Sequence, residues 1–265
     1  MNSTDPLWPE TLISSKKRPP KPRLKGCTMV IDKGLGLSAF CDLLQSAGDY
    51  IDFLKLGFGT AGVTPPGLLQ KKIELAREYQ VSIYPGGTFL EIAYAKKVHH
   101  QYLQTISDLG FEWIEVSDGL IELSSAERLR LIKLGQKMGF RIITEIGKKS
   151  SGSLVNLETL AKHYELDQEA GASFIILEGR ESGTNAGIYQ ENGQIHMPVL
   201  EFILTKTNPD TIMWEAPQTR QQIELINILG PEANLGNISP LDAVSLECLR
   251  RGLRADTFRL SDTKP

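Results

Sequence analysis

The sequence has no apolar run long enough to cross a membrane and no excess of positive charge. No segment reaches the roughly 18 consecutive apolar residues of a membrane span. The net charge is −3 and the pI is near 5.9, so no basic field favours nucleic acid. The first residues also lack the apolar core of a secretion signal. We therefore expect a cytoplasmic protein that binds neither nucleic acid nor a membrane.

Cysteine is scarce, and its spacing does not suit a cross-link or a metal site. Cys27, Cys41 and Cys248 are widely separated, odd in number and without a CxxC pair. This pattern is typical of buried thiols in a reducing compartment, and it favours neither a disulfide framework nor a zinc site.

The N-terminal segment differs in composition from the rest of the chain. KKRPPKPRLK, residues 16–25, is basic and proline-rich, which predicts an extended arm. Such an arm can contact an anionic partner, but packing on its own domain or on a neighbouring subunit is the favoured interpretation. We divide the chain into an arm of residues 1–25 and a single domain of residues 26–265, and we expect a homo-oligomer.

Eight short apolar runs, each bounded by turn residues, follow the arm at nearly even spacing. Each has the length and the β-branched or aromatic content of a strand. Their sequences are TMVIDKG from Thr28, DFLKLGFG from Asp52, VSIYPGG from Val81, WIEVSDG from Trp113, RIITEIG from Arg141, FIILEGR from Phe174, TIMWEAP from Thr211 and ANLGNIS from Ala233.

Helical patterns separate these strands, and several have recognisable ends. Ser124 and Glu127 form a predicted capping box that Gly139 terminates, and Ser239 with Pro240 opens the last helix. Eight strand–helix units predict an α/β protein with a (β/α)8 TIM barrel. A doubly wound open sheet is the competing fold, but no GxGxxG follows the first strand to support it.

Polar residues recur at the carboxyl ends of the predicted strands, where barrel enzymes build their active sites. A lone buried glutamate is more often part of a structural ion pair, since buried charge is costly unless compensated. Repetition over six strands instead favours a functional site. The strand-end set is Asp32, Lys33, Lys55, Glu115, Ser117, Asp118, Glu145, Lys148, Glu178, Arg180, Glu215 and Asn237.

This set contains no histidine or cysteine, so a Ser–His or Cys–His nucleophilic pair is unsupported. Carboxylates are hard oxygen ligands that favour Mg²⁺. The lysines and the arginine suit an anionic substrate, or one lysine can donate a proton. Two glycine-rich stretches, GFGTAG around Gly59 and GKKSSGS from Gly147, could bind a phosphate through backbone N–H groups. These residues predict a Mg²⁺-dependent enzyme acting on a small, phosphorylated or multiply anionic substrate.

The strand ends and the residues after them carry a series of motifs. They are DKGLG from Asp32, DFLKLGFGT from Asp52, IYPGGT from Ile83, EVSDG from Glu115, EIGKK from Glu145, LEGRESG from Leu177, WEAP from Trp214 and NLGNI from Asn234. Over about residues 26–253 these motifs resemble those of the phosphosulfolactate synthase family. The resemblance implies a Mg²⁺-dependent addition of sulfite to phosphoenolpyruvate, through a metal-stabilised enediolate, that gives (2R)-phospho-3-sulfolactate. In that family the product serves coenzyme M or sulfolactate biosynthesis, and a plant branch is associated with heat stress.

On this reading each strand-end residue receives a hypothetical role. The predicted metal ligands are Glu115, Glu145 and Glu178. The predicted catalytic residues are Lys148 as proton donor, Lys33 as its rival, Arg180 and Lys55 as anion-holding groups, and Glu215 as a group that orients a lysine. The predicted substrate-binding residues are Asn237 near the phosphate, together with Asp32, Ser117 and Gly59; Asp32 is also a secondary candidate for the metal.

Other functions fit the same fold. An aldolase could use Lys55 as a Schiff-base amine, and another metal-dependent lyase could act on a phosphorylated enolate. A non-catalytic, stress-associated barrel is a third possibility. The long polar segment 181–196 fits a lid over the site, a surface excursion or a subunit contact.

Overall fold

The computed structural model describes Trp8, Pro9, Leu12, residues 18–147 and residues 156–258. All eight predicted strands form, and all are parallel to their neighbours. The strands are β1 Thr28–Asp32, β2 Phe53–Leu56, β3 Ser82–Pro85, β4 Trp113–Val116, β5 Arg141–Ile146, β6 Phe174–Leu177, β7 Ile212–Glu215 and β8 Leu235–Ile238.

The strand order is β3-β2-β1-β8-β7-β6-β5-β4, so each strand lies beside its neighbour in sequence and β1 pairs with β8. This order curls the sheet into a nearly closed barrel whose two terminal strands are β3 and β4. Helices follow the strands around the outside, as crossover connections between parallel strands require. The predicted (β/α)8 TIM barrel is confirmed.

The helices of the described residues lie between consecutive strands and after β8. Short 3₁₀ turns precede β2, β7 and the last helix. The α-helices are α1 Leu37–Ala47, α2 Thr60–Val63, α3 Pro66–Glu78, α4 Gly87–Ala95, α5 His99–Asp108, α6 Ser125–Lys137, α7 Leu157–Ala170, α8 Met197–Lys206, α9 Thr219–Leu229 and α10 Ala243–Arg250.

The predicted helix signals are used as the sequence indicates, with one difference. Ser124 and Glu127 form the capping box of α6, and Gly139 lies just beyond its end at φ +93°. Ser239 caps a 3₁₀ turn, Pro240–Asp242, rather than the α-helix itself, which begins at Ala243. Proline suits the first position of either helix type, so the start signal does not distinguish them.

Alternating side chains along the strands separate the barrel interior from the layer under the helices. Phe53, Trp113 and Phe174 point inwards and pack edge-on, with the Phe53 ring centroid 5.1 Å from Trp113 and 5.5 Å from Phe174. Val30 and Leu54 belong instead to the apolar layer beneath the helices. The aromatic layer fills the barrel interior below its polar end. The polar end is therefore closed from below by packed side chains and does not open into a channel.

The described part of the N-terminal arm packs against the barrel. The Arg23 guanidinium lies 3.0 Å from the Asp52 carboxylate, and the Lys21 ammonium donates to the Gly48 carbonyl at 2.5 Å. Arg18 pairs with Glu247 of α10. Asp52 also accepts the Thr28 N–H at 2.9 Å, so the arm is fastened to the start of β1.

All three cysteines are free thiols, and burial raises the pKa of the Cys27 thiol well above its ordinary value. Free thiols agree with the expectation that the cysteines form no disulfide framework. Cys27 is buried as expected, whereas Cys41 and Cys248 are partly exposed. Among the helices in the described ranges, none combines the length and the apolar content that a membrane span needs.

Candidate functional site

A buried ammonium, that of Lys55, lies at the polar end of the barrel interior. Lys55, on β2, is 3.0 Å from Glu115 of β4, 3.0 Å from Glu145 of β5 and 3.4 Å from Glu215 of β7. All four side chains are at least 90% buried. Three strand-end carboxylates that are distant in sequence therefore converge on one nitrogen.

The protonation of Lys55 follows from these neighbours. Burial favours the neutral amine, but Glu115, Glu145 and Glu215 together outweigh burial and raise the pKa of Lys55 well above its ordinary value. Lys55 is thus an ammonium at neutral pH. A Schiff-base aldolase needs a neutral amine as its nucleophile, and this environment disfavours one.

Glu145, Glu178 and Glu215 form a second grouping at the same end of the barrel. Each offers a carboxylate oxygen, and these oxygens lie within 4.8 Å of one another. All three residues are buried. Hard oxygen ligands at this separation could hold a divalent cation, and the cluster is therefore a candidate metal centre.

Glu215 is in this cluster, although the sequence suggested a lysine-orienting role for it. Burial raises the pKa of its carboxyl group, Lys55 opposes that shift, and the charge of Glu145 adds to it. One carboxylate oxygen of Glu215 contacts Lys55, and the other accepts the Gly179 N–H at 2.9 Å. Glu215 therefore contacts Lys55 and also lies beside two further acidic groups, and its role in orienting a lysine stays a prediction.

Glu115 was predicted as a metal ligand, but its oxygens face other groups. One accepts the Gly87 N–H at the start of α4 at 2.7 Å, and the other lies 3.0 Å from Lys55. The amino end of a helix stabilises a carboxylate, so Glu115 links α4 to the buried ammonium. Its role as a ligand stays a prediction.

These groups line a cavity of about 240 Å³ at the mouth of the barrel. We use mouth for the end at which the carboxyl ends of the strands lie. Besides Lys55, Glu115, Glu145 and Glu215, the cavity is lined by Phe58, Thr88, Glu178, Arg180, Glu181 and Asn237.

Three of these lining residues have left-handed backbone conformations. Phe58, Arg180 and Asn237 have φ values of +56°, +58° and +53°. Asparagine tolerates this conformation, but phenylalanine and arginine rarely adopt it, and such strain is concentrated at functional sites. The Asn237 side-chain oxygen is buried and has no hydrogen-bond partner within the described parts of the chain. It is therefore available to a ligand.

Three predicted substrate-binding residues do not line the cavity. Asp32 pairs with Lys72 of α3 at 2.6 Å and accepts the Gly34 and Leu35 N–H groups. Ser117 donates to Glu91 of α4 at 2.6 Å. Gly59 precedes the short helix α2. The first two fix loops beside the cavity instead of facing it.

Of the two lysines predicted as proton donors, the structure describes Lys33 but not Lys148. Lys33, after β1, forms an exposed ion pair with Glu181. Lys148, the predicted proton donor, lies outside the described residues, as does its neighbour Lys149. The last described residue before them is Gly147, which follows β5 and whose φ is +146°. A Cβ there would lie 2.4 Å from the Glu178 Cβ, so only glycine permits this close approach.

Several residues that shape the site had no signal in the sequence. Arg128 of α6 is buried, binds Asp167 through two nitrogens at 2.8 and 2.5 Å, and donates to the Glu145 carbonyl at 3.1 Å. Glu91 accepts the Leu120 N–H at 2.6 Å and so holds the loop after β4. Both are charged residues in helices, where a solvated position is the ordinary expectation.

The segment 181–196 packs on the barrel rather than projecting from it. Ile188, Tyr189 and Ile195 are buried in the core, and the Tyr189 hydroxyl donates to the Glu215 carbonyl at 2.7 Å. Two short antiparallel bridges centre on Tyr189. These contacts fasten the segment to β7 beside the candidate metal centre.

Comparisons with known proteins place the chain among sequences of one family. A family model for (2R)-phospho-3-sulfolactate synthase matches residues 16–256. The chain is 40% identical to the phosphosulfolactate synthase of Methanothermobacter thermautotrophicus, covering 97% of this chain and 98% of that protein. It is 39% identical to the phosphosulfolactate synthase of Methanocaldococcus jannaschii, covering 88% and 94%.

A similarity to solved structures concerns the fold alone. The 3-hexulose-6-phosphate synthase of Salmonella typhimurium superposes with a TM-score of 0.54 at 14% identity, over 87% of this chain and 92% of that one. At this identity the shared feature is the barrel architecture, and the chemistry must be argued from the site.

Replacement of Lys55 tests its role as the shared counter-ion. Lys55→Met should lose about 3–5 kcal/mol of stability near pH 8 without added metal, because three buried carboxylates lose their cation. Their pKa values then rise, so the folded variant binds more protons than the unfolded chain as the pH falls. The difference in unfolding free energy between the wild type and Lys55→Met should therefore be smaller near pH 5. Urea unfolding at both pH values measures this difference.

The matched control for this experiment is Lys33→Met, which removes a lysine whose only ion pair in the described structure is exposed. That variant should stay within about 1 kcal/mol of the wild type at both pH values. An equal loss in the two variants, or a Lys55→Met deficit that is independent of pH, would contradict the proposed electrostatics.

Replacement of Glu178 tests the candidate metal centre. Glu178→Gln keeps the side-chain shape but removes a charged ligand, so affinity for a divalent cation should fall at least about tenfold. Mn²⁺ binding followed by electron paramagnetic resonance measures this without turnover. Glu191→Gln, an exposed change in segment 181–196, is the control and should bind as the wild type does. Equal affinity in all three proteins would place the metal elsewhere.

Proposed function

The chain belongs to the (2R)-phospho-3-sulfolactate synthase family, and we propose that it adds sulfite to phosphoenolpyruvate in a Mg²⁺-dependent reaction that forms (2R)-phospho-3-sulfolactate. The observation that carries the proposal is one cavity that joins the Glu145–Glu178–Glu215 cluster to Lys55 and Arg180. No histidine or cysteine lines this cavity within the described chain. The proposed chemistry therefore uses carboxylates, cations and a metal ion held by the acidic cluster.

The donor set fits Mg²⁺ better than a softer metal. Every group in the cluster is a carboxylate, and Mg²⁺ prefers oxygen ligands to nitrogen or sulfur. Glu145, Glu178 and Glu215 would hold the ion. When bound, it would supply a Lewis acid and counter the negative charge that develops on the substrate carboxylate.

The residues of the chain have to bring two anions together. Phosphoenolpyruvate and sulfite repel one another, so the cavity must supply positive charge. The positive charge of Lys55 compensates three buried carboxylates of the protein. It is therefore less able to attract a substrate anion. Arg180, which lines the same cavity, is the better candidate to bind substrate oxygens, because its planar guanidinium can contact two oxygens at once.

The addition then requires one proton. The sulfur lone pair of sulfite forms a bond to C3 of phosphoenolpyruvate, and the π electrons of the C2–C3 bond move towards C2 and the carboxylate. A proton must then reach C2 from one face to give the R configuration. The proposed donor is Lys148, and its rival is Lys33, whose ion-pair partner Glu181 lines the cavity.

The Asn237 amide provides a further polar group for the substrate. It lies at the end of β8, and its buried oxygen has no partner among the described residues. Rotation of the amide by 180° presents the NH₂ group at the same place, so Asn237 can donate to a phosphate or carboxylate oxygen. This is consistent with the substrate-binding role proposed from the sequence.

A direct assay tests the proposed reaction. Purified protein with phosphoenolpyruvate, sulfite and Mg²⁺ should consume sulfite and form a phosphorylated sulfonate, which ³¹P NMR and mass spectrometry identify. EDTA should abolish turnover, and added Mg²⁺ should restore it. Intact metal binding without any turnover of these two substrates would refute the proposed reaction.

The proton donor can be tested separately. Loss of a general acid typically costs about 10²- to 10⁴-fold in rate, so Lys148→Ala should lower kcat by that factor while binding of phosphoenolpyruvate changes little. Lys149→Ala is the matched control at the neighbouring position and should stay within about threefold of the wild type. If Lys33→Ala produces the large loss and Lys148→Ala does not, the two roles are exchanged.

A further inference from the structure

An ion pair crosses part of the barrel mouth. Lys33 follows β1 and Glu181 follows β6, and their side chains form a salt bridge. In the sheet, β8 and β7 separate these two strands. The pair therefore spans the sector of the mouth that contains Asn237 and Glu215, rather than linking adjacent loops.

The carboxylate of this pair belongs to the lining of the candidate site. Glu181 lines the same cavity as Arg180 and Asn237. Both members of the pair are about half exposed, at 47% for Lys33 and 58% for Glu181. Exposed ion pairs are weak and screened by salt, so a dissolved anion can replace the attached carboxylate beside Lys33.

The charges that line the cavity explain why a substrate anion would replace Glu181 beside Lys33. Among its described lining residues, five carboxylates face two cations, Lys55 and Arg180. Lys55 already contacts three of the carboxylates. An arriving dianion therefore needs additional positive charge, and Lys33 is a cation at the mouth whose present partner is easily exchanged.

We infer that Glu181 is a positioning residue for Lys33: it is the counter-ion of Lys33 before substrate binds, and the substrate anion displaces it. The identity of that anion, phosphoenolpyruvate or sulfite, rests on the proposed function. Glu181 holds the ammonium at the mouth and competes with substrate for it. Removal of the Glu181 carboxylate then strengthens anion binding, and the gain depends on Lys33.

A double-mutant cycle separates this exchange from a general change in charge. Phosphoenolpyruvate, sulfite and inorganic phosphate are titrated by calorimetry, with Mg²⁺ present, into the wild type, Glu181→Gln, Lys33→Met and the double variant. Glu181→Gln should bind at least one anion about two- to fivefold more tightly than the wild type. In the Lys33→Met background, the same change should produce no gain.

The control is Glu191→Gln, which removes a negative charge from the same segment and should leave anion affinity unchanged. Acetylation of Lys33, followed by mass spectrometry without ligand, reports the pair directly. It should be faster in Glu181→Gln than in the wild type, because the unpaired ammonium loses its proton more easily.

Several outcomes would overturn the inference: weaker anion binding in Glu181→Gln, a gain that persists without Lys33, unchanged acetylation, or no binding of any of the three anions. The proposed function is judged by a different result. Anion binding that follows the expected cycle in a protein that does not turn over phosphoenolpyruvate and sulfite would support the Glu181 assignment and contradict the reaction alone.

Discussion

The charged groups at the barrel mouth depend on the ion pairs of the Lys55 ammonium. A carboxylate that is buried without a partner is too costly to remain charged. Glu115, Glu145 and Glu215 reach the ammonium from β4, β5 and β7. These contacts require four strands to end at the same level with the same faces inward. Glu145 and Glu215 also lie beside Glu178, and these three carboxylates could together hold a divalent cation.

The layer beneath these charges increases their effect. Phe53 lies two residues before Lys55, and Trp113 two residues before Glu115, so each charged side chain stands one layer above an aromatic one on the same face of its strand. A well-packed apolar base excludes water from below. Electrostatic interactions are stronger in such a medium, so the same alternation that fills the barrel also makes its polar end chemically effective.

This alternation explains both what the sequence could predict and what it could not. Strand positions and the polar character of their carboxyl ends are local properties, and all eight strands form as predicted. Whether a strand-end group faces inwards depends on the register of the closed barrel. Asp32 has the parity of Val30, which lies under the helices, and it pairs with Lys72 of α3 outside the interior. Glu145 has the parity of the inward Ile143 and faces the site.

The helices supply a second set of charges that no local pattern could reveal. Lys72 holds Asp32 and thereby the loop after β1, Glu91 holds the loop after β4, and Arg128 holds the Glu145 carbonyl where β5 ends. In sequence each is a charged residue in an amphipathic helix, and only the crossover geometry brings it to a strand end. Most of the charged groups that line the cavity thus come from strand ends, whereas buried helix charges fix the loops beside it. A substitution in the second set should therefore affect catalysis through loop position, although it contacts no ligand.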